Sequence, residues 1–168
     1  MHSWRTVYDR KLERSSHTTA PHVGHALLSV VVANIFQTLR VSATVWEHGT
    51  DWFPIHAEPS PAAFDSEHGK ESERNAYNIR QFAAVARRKK TVRGQHGGYS
   101  DLFVPIVIRR EVVGILVTGP FALLPPTTAR IQDNWRSLTG RKAHIADPEF
   151  AAYLSSALAT LVLSDGKV

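Results

Sequence analysis

Nine histidines and no cysteine stand in this sequence, so acid–base, metal or haem chemistry must rest on imidazole and carboxylate groups. His22 and His25 are three apart at the start of a predicted helix, a spacing that turns two imidazoles toward one metal. No third ligand stands near them, and a surface or capping pair is the simpler reading. His56 closes a predicted strand, and His96 sits in the glycine-rich run Gly94-Gln95-His96-Gly97-Gly98. Either could ligate haem axially or bind a carboxylate, or be a hydrogen-bonded interior residue. His96 and Asp101 offer an acid–base pair, but spacing supplies no third convergent group. The glycine run follows a basic helix end and leads into a strand, the wrong order for a phosphate cradle. It reads as a turn that needs positive φ.

Other chemistry is excluded outright. There is no Gly-x-Ser-x-Gly elbow, no Gly-x4-Gly-Lys-Ser/Thr loop and no Gly-x-Gly-x-x-Gly after a strand. Without cysteine there is no disulfide framework, thiolate nucleophile, iron–sulfur cluster, thiolate zinc site, or chromophore or haem attached through this chain's own thiol. What remains is a mixed aromatic and polar set: Trp46, Trp52, Phe53, Tyr77, Arg80, His96, Tyr99 and Phe103. If the helix carrying Tyr77 and Arg80 crosses a sheet face, these side chains ring one mostly apolar pocket with a few polar anchors. The plainer alternative is that they fill a core. The pocket residues expected on this reading are His56, Tyr77, Arg80, His96, Tyr99 and Phe103.

The elements that must position them follow from periodicity. Trp4, Val7, Tyr8 and Leu12 predict a short helix over 4–14, followed by a loop over 15–21. Leu27, Leu28, Val31, Val32, Ile35 and Leu39 predict an amphipathic helix over 23–39. Two short alternating runs, 40–46 and 52–56, flank a glycine-containing loop and predict a hairpin. Segment 58–69 carries Pro59, Pro61 and Gly69 and reads as a loop or lid. A helix over 72–90 should face inward with Tyr77, Ile79, Phe82, Ala83, Val85 and Ala86, and 91–101 should be a mobile or tightly turned connection. Segment 102–121 is a second hairpin, apolar on both faces and so central in its sheet. Pro105 cannot donate to a ladder, and a bulge there is expected. A helix opens at Pro125-Pro126-Thr127-Thr128 and runs through Ile131 and Trp135 to about 138. The last helix has Asp147 as cap, Pro148 in its first turn, and a stripe of Phe150, Tyr153, Leu154, Ala157, Leu158, Leu161 and Val162.

The result is an α+β domain: a central antiparallel sheet with helices on its faces. With 168 residues, 43% of them hydrophobic, the chain is long enough for one domain and leaves little room for a second. No apolar run reaches the ~18 residues of a membrane span, and the first residues lack an apolar signal core. A cytoplasmic protein without membrane partners is expected. The formal charge is +5, with cations gathered in Arg87-Arg88-Lys89-Lys90 and Arg93 and an acidic stretch over 58–73. Such a cluster can attract phosphates. Without interleaved aromatics or a binding-helix motif, it reads rather as a solvated helix end that complements the macrodipole.

Leu102-Phe103-Val104-Pro105-Ile106, followed after a tight turn by Val113-Gly114-Ile115-Leu116-Val117-Thr118-Gly119-Pro120-Phe121, resembles the paired central strands of GAF-type sensor domains, in particular the PocR-like branch. Asp133-Asn134-Trp135-Arg136, Leu138-Thr139-Gly140-Arg141 and the run from Asp147 to Leu154 resemble the segment that closes sensory domains ahead of bacterial DNA-binding or signalling outputs. The resemblance spans most of the chain from about Val23. It implies first and last helices together on one sheet face, a ligand pocket under helix and loops on the other, and a homodimer formed through the terminal helices. The sequence departs from the branch around Ala86-Arg87 and Gly97 to Tyr99, where cysteines often occur there. That departure speaks against metal or redox roles and against the thiol-dependent sulfoxide reductases of the wider fold family.

The expected function is therefore a non-enzymatic small-molecule sensor. A ligand would enter beneath helix 72–90 and the loop 91–101, and nucleic acid would be met only through a separate output domain. The chain would then be a fragment of a longer regulator, a complete single domain being the alternative. The ligand and any cofactor are unknown at this point. Two rivals stand beside it: a haem-binding gas or redox sensor using His56 or His96, and a ligand-free dimerisation or interaction module.

Overall fold

The computed structural model describes residues 30–47 and 52–163. The helix expected over 4–14, the loop 15–21, the first turns of the helix over 23–39 and the His22/His25 pair lie outside the described residues. The elements run α1 (Val30–Leu39), β1 (Ala43–Glu47), β2 (Trp52–His56), α2 (Ala63–Glu67), α3 (Glu71–Arg88), β3 (Val92–His96), β4 (Tyr99–Ile108), β5 (Glu111–Phe121), α4 (Thr128–Thr139) and α5 (Pro148–Ala159). One five-stranded sheet, ordered β2-β1-β5-β4-β3, has every neighbouring pair antiparallel. The expected α+β class and both hairpins are present. Among the described residues no helix is long and apolar enough to cross a membrane.

Two segments read as loops are not. Residues 58–69 contain α2, which buries Asp65. Residues 91–101 contain β3 and the start of β4, with Val92 and Gly94 buried in alternation. The alternation escapes a hydropathy reading because its second inward position is a glycine, which has no apolar side chain to mark it. The turn itself behaves as expected: Gly97 and Gly98 take φ of 58° and 84°.

In α3 the buried side chains are Tyr77, Phe82 and Val85. Ile79, expected inward, is 65% exposed, and Ala83 and Ala86 are exposed as well. At 3.6 residues per turn a stripe through Tyr77 continues at 81, 82 and 85, while a residue two positions on points away. Acidic Glu71 and Glu73 open this helix and Arg87 and Arg88 close it, as the dipole favours.

The β4–β5 connection is a two-residue turn in which both Arg109 and Arg110 have positive φ, 49° and 70°. Lys89 Nζ donates to the Arg110 carbonyl at 2.8 Å, tying the end of α3 to the turn. Register irregularities fall between Ser100 and Leu102 and between Ile106 and Val107, not at Pro105. Proline is accommodated because β3 reaches only as far as Phe103, paired with Val92, so β4 lies at the sheet edge beyond that point.

Thr127 caps α4 by accepting the Arg130 N–H, and Gly140 closes it with φ 72°. Asp147 caps α5 by accepting the N–H groups of Glu149 and Phe150, with Pro148 in the first turn, as expected. That helix stops at Ala159, so Leu161 and Val162 do not extend its stripe. They lie beside Ala122 instead: the Ala122 N–H donates to the Leu161 carbonyl and the Leu163 N–H to the Ala122 carbonyl, both at 2.8 Å. Leu158 is 60% exposed.

Two apolar cores result. Tyr77, Phe82 and Val85 of α3 pack on Val92, Phe103 and Ile115 of the sheet, with Trp46 against them. Ile131 and Trp135 of α4 pack on Phe150, Tyr153 and Ala157 of α5, closed by Tyr99 and Phe64.

Candidate functional site

Arg74 and Tyr77 are three apart in α3 and therefore share a face. Asp101 stands opposite Gly94 in the β3–β4 ladder. A Cβ at Gly94 would collide with the Tyr77 hydroxyl, so the missing side chain is what lets Tyr77 reach Asp101. The Tyr77 hydroxyl and Arg74 Nη1 both donate to Asp101 Oδ2, each at 3.0 Å. Arg74 Nε donates to Asp65 Oδ2 at 2.8 Å, and its guanidinium carbon lies 5.5 Å from the centre of the Tyr77 ring. His96 stacks on the other side of the network: its ring centre is 5.1 Å from that of Tyr77 at 26°, with Nε2 3.5 Å from Asp65 Oδ2.

The two carboxylates are nearly out of solvent, Asp101 at 5% and Asp65 at 7% exposure. Burial pushes the Asp101 carboxyl above its ordinary value, opposed by the charge of Arg74. Burial also raises the Tyr77 phenol, with Asp101 adding to it, so Tyr77 stays a neutral donor. His96 is held below its usual value, first by burial and then by the charge of Arg74, and is neutral at pH 7. The groups that an acid–base reading of His96 and Asp101 lacked are therefore present. They are spent on one another, however: Asp101 Oδ2 already takes two donors and lies out of reach of a substrate. His96 is the member that also faces outward.

It does so into an open cleft of about 440 Å³ between the β3–β4 turn, the stretch Ala122 to Pro126 and the first two turns of α4. Asn134 lines this cleft, packs beneath Gly98, and its side chain neighbours the phenols of Tyr99 and Tyr153. Through Tyr153 the cleft is joined to α5. A second link runs from α2, where His68 Nε2 lies 2.9 Å from Glu149 Oε1 without the alignment of a hydrogen bond.

Of the residues expected to form a pocket, Tyr77, His96 and Phe103 come together, with Phe103 edge-on to Tyr77 at 5.7 Å. Tyr99 pairs with His96 across the turn and also lines the cleft, but its ring belongs to the α4–α5 core. Arg80 is exposed on α3. His56 sits on the far edge strand, β2, with Nε2 2.8 Å from Glu58 Oε1. Trp46 stacks on Phe82 at 4.5 Å and Trp52 tilts onto it at 5.6 Å. The space beneath α3 is thus packed with rings, and the cleft lies beside that helix rather than under it. Asp65, Arg74 and Asn134 were not anticipated. The one available signal was Arg74 standing a helical turn before Tyr77.

Each of the two histidines considered for haem has a carboxylate neighbour, Glu58 for His56 and Asp65 for His96. Among the described residues no group of three or more histidine, aspartate or glutamate side chains could hold a metal ion. No protein-family model matches the chain, and no curated protein or solved structure is significantly similar to it.

Proposed function

We propose that the chain is a GAF-like regulatory domain that senses a small molecule and acts through its terminal helices on an output, as in the PocR-like sensors it resembles. The observation that carries this reading is the cleft beside His96 with its two connections to α5, one through Asn134 and Tyr153 and one through the short helix α2, whose Asp65 lies near His96 and whose C-cap His68 lies beside Glu149. A volume near 440 Å³ suits a small metabolite. A ligand touching Asn134 changes the partners of Tyr153, and the α5 packing that Tyr153 supports changes with them. Regulation requires that the ligand bind two arrangements of α5 with different affinity. The role is non-enzymatic, the working form a homodimer of cytoplasmic protein, and nucleic acid is met only by an output domain.

Native mass spectrometry beside the denatured spectrum tests the reading. The expected result is a defined extra mass released on denaturation, or acquired from a metabolite library, that perturbs amides around 95–100 and 122–134. A bare chain that no library member shifts at those amides ends it. The ligand-free interaction module is the second reading, supported by the filled space beneath α3 and by the stripe Val31, Ile35 and Leu39, exposed by 66%, 51% and 47%. Ile35→Asp should then convert a dimer to a monomer in light scattering; an unchanged mass removes it.

A further inference from the structure

We infer that the cleft beside His96 takes a small organic acid, a carboxylate on a compact apolar body. The inference rests on the sensor reading and names the ligand class for that same site. One wall is apolar, made by Leu124, Pro126 and Ile131. Arg130 stands on the same wall, and among the described residues no aspartate or glutamate lines the cleft.

Arg130 makes no ion pair among the described residues. The acid one turn along its own helix, Asp133, lies 3.6 Å from Arg136 instead. The Arg130 main chain is fixed by its N–H bond to the Thr127 hydroxyl, so its side chain leaves from a set position at the cleft mouth. An arginine fork matches a carboxylate with two parallel charge-assisted bonds, which a lone amide or hydroxyl does not replace. Neutral His96, clamped against Tyr77, and the Asn134 amide offer the polar contacts for the rest of the ligand. A second charge on the ligand would find no lysine or arginine besides Arg130 in the cleft lining, which is why a monoacid fits better than a diacid.

The experiment is an amide-resolved NMR titration of the full chain with matched acid and amide pairs: acetate and acetamide, isobutyrate and isobutyramide, benzoate and benzamide. At least one acid should shift amides at 95–100 and 122–134 and bind about tenfold tighter than its amide. Arg130→Gln, with an unchanged circular dichroism spectrum, should erase that preference. Amides that bind as well as their acids overturn the anion class and leave the cleft standing as a sensor site. An acid preference that survives Arg130→Gln overturns the assignment to Arg130. If no member of any pair moves the cleft amides, the acid inference falls. The sensor reading falls with it only if the metabolite library also leaves those amides unmoved.

Discussion

Two arginines in this molecule have nearly the same company. Arg74 bridges Asp65 and Asp101 and lies over the ring of Tyr77; Arg141 bridges Asp147 and Glu149 and lies over the ring of Trp135. The rings stand 5.5 and 5.4 Å from the two guanidinium carbons. What differs is water. The Arg74 side chain is 18% exposed and both its carboxylate partners are buried, whereas the Arg141 side chain is 47% exposed. Coulomb attraction is screened around Arg141, and its partners can be hydrated if it leaves. Around Arg74 a departure strands two carboxylates in the interior. The same constellation is a removable surface tie in one place and a structural requirement in the other.

The comparison predicts a ranking. Arg74→Ala should have the largest effect, about 3–5 kcal/mol in urea unfolding, because buried charge is left uncompensated. A loss no greater than that of Arg141→Ala would mean that water reaches Asp65 and Asp101 in solution. Tyr77→Phe should follow with about 1–2 kcal/mol, the cost of removing one of the two donors to Asp101 Oδ2. Phe preserves the stack on His96, so that loss isolates the hydrogen bond from the packing.

Acidification acts with both signs inside the Arg74 region and with one sign at Asp147. The folded-state value of His96 lies below the unfolded 6.5, so the folded protein binds fewer protons in that window. Its contribution is complete above about pH 6.5 and is lost as pH falls through the folded value. Wild type should therefore lose more stability than His96→Gln between neutral and mildly acidic pH. A gain of stability on acidification would instead show that the Asp65 charge dominates. Asp147, pulled below its usual value by its cap and ion-pair bonds, which outweigh a desolvation that acts to raise it, is a stabilising carboxylate lost at still lower pH, as it protonates. Asp101, raised by burial, responds oppositely: its ionisation works against folding, and protonation relieves it. Arg141→Ala should be the smallest change, a fall in Tm below that of Tyr77→Phe and one that vanishes in high salt.

Much of the fold was legible because its signals are local. The Asp147-Pro148 start of α5, the Gly140 end of α4 and the Gly97-Gly98 turn each involve a few neighbouring residues. Their backbone preferences do not depend on distant packing. The site was legible only in part. Tyr77, His96 and Phe103 stood out as aromatic or titratable, and they do meet. Arg74 and Asp65 read as ordinary surface charges because burial of a charge is decided by partners far away in the chain. Asp101 is 27 residues from Arg74 and 24 from Tyr77. β3 was read as a loop for a related reason: Gly94 is buried by the Tyr77 hydroxyl above it, a contact that no local pattern encodes.

By itself the sequence determined the α+β class, the absence of thiol chemistry, the helix caps and the two hairpins, since composition and short-range backbone preference suffice for these. Only the tertiary structure decided which of two similar arginine clusters is buried, and that rings fill the space beneath α3. It also decided that the open cleft lies between the β3–β4 turn and α4. Each of those outcomes depends on how solvent is excluded by segments distant in sequence, and desolvation, unlike helix capping or turn formation, is a property of the assembled fold.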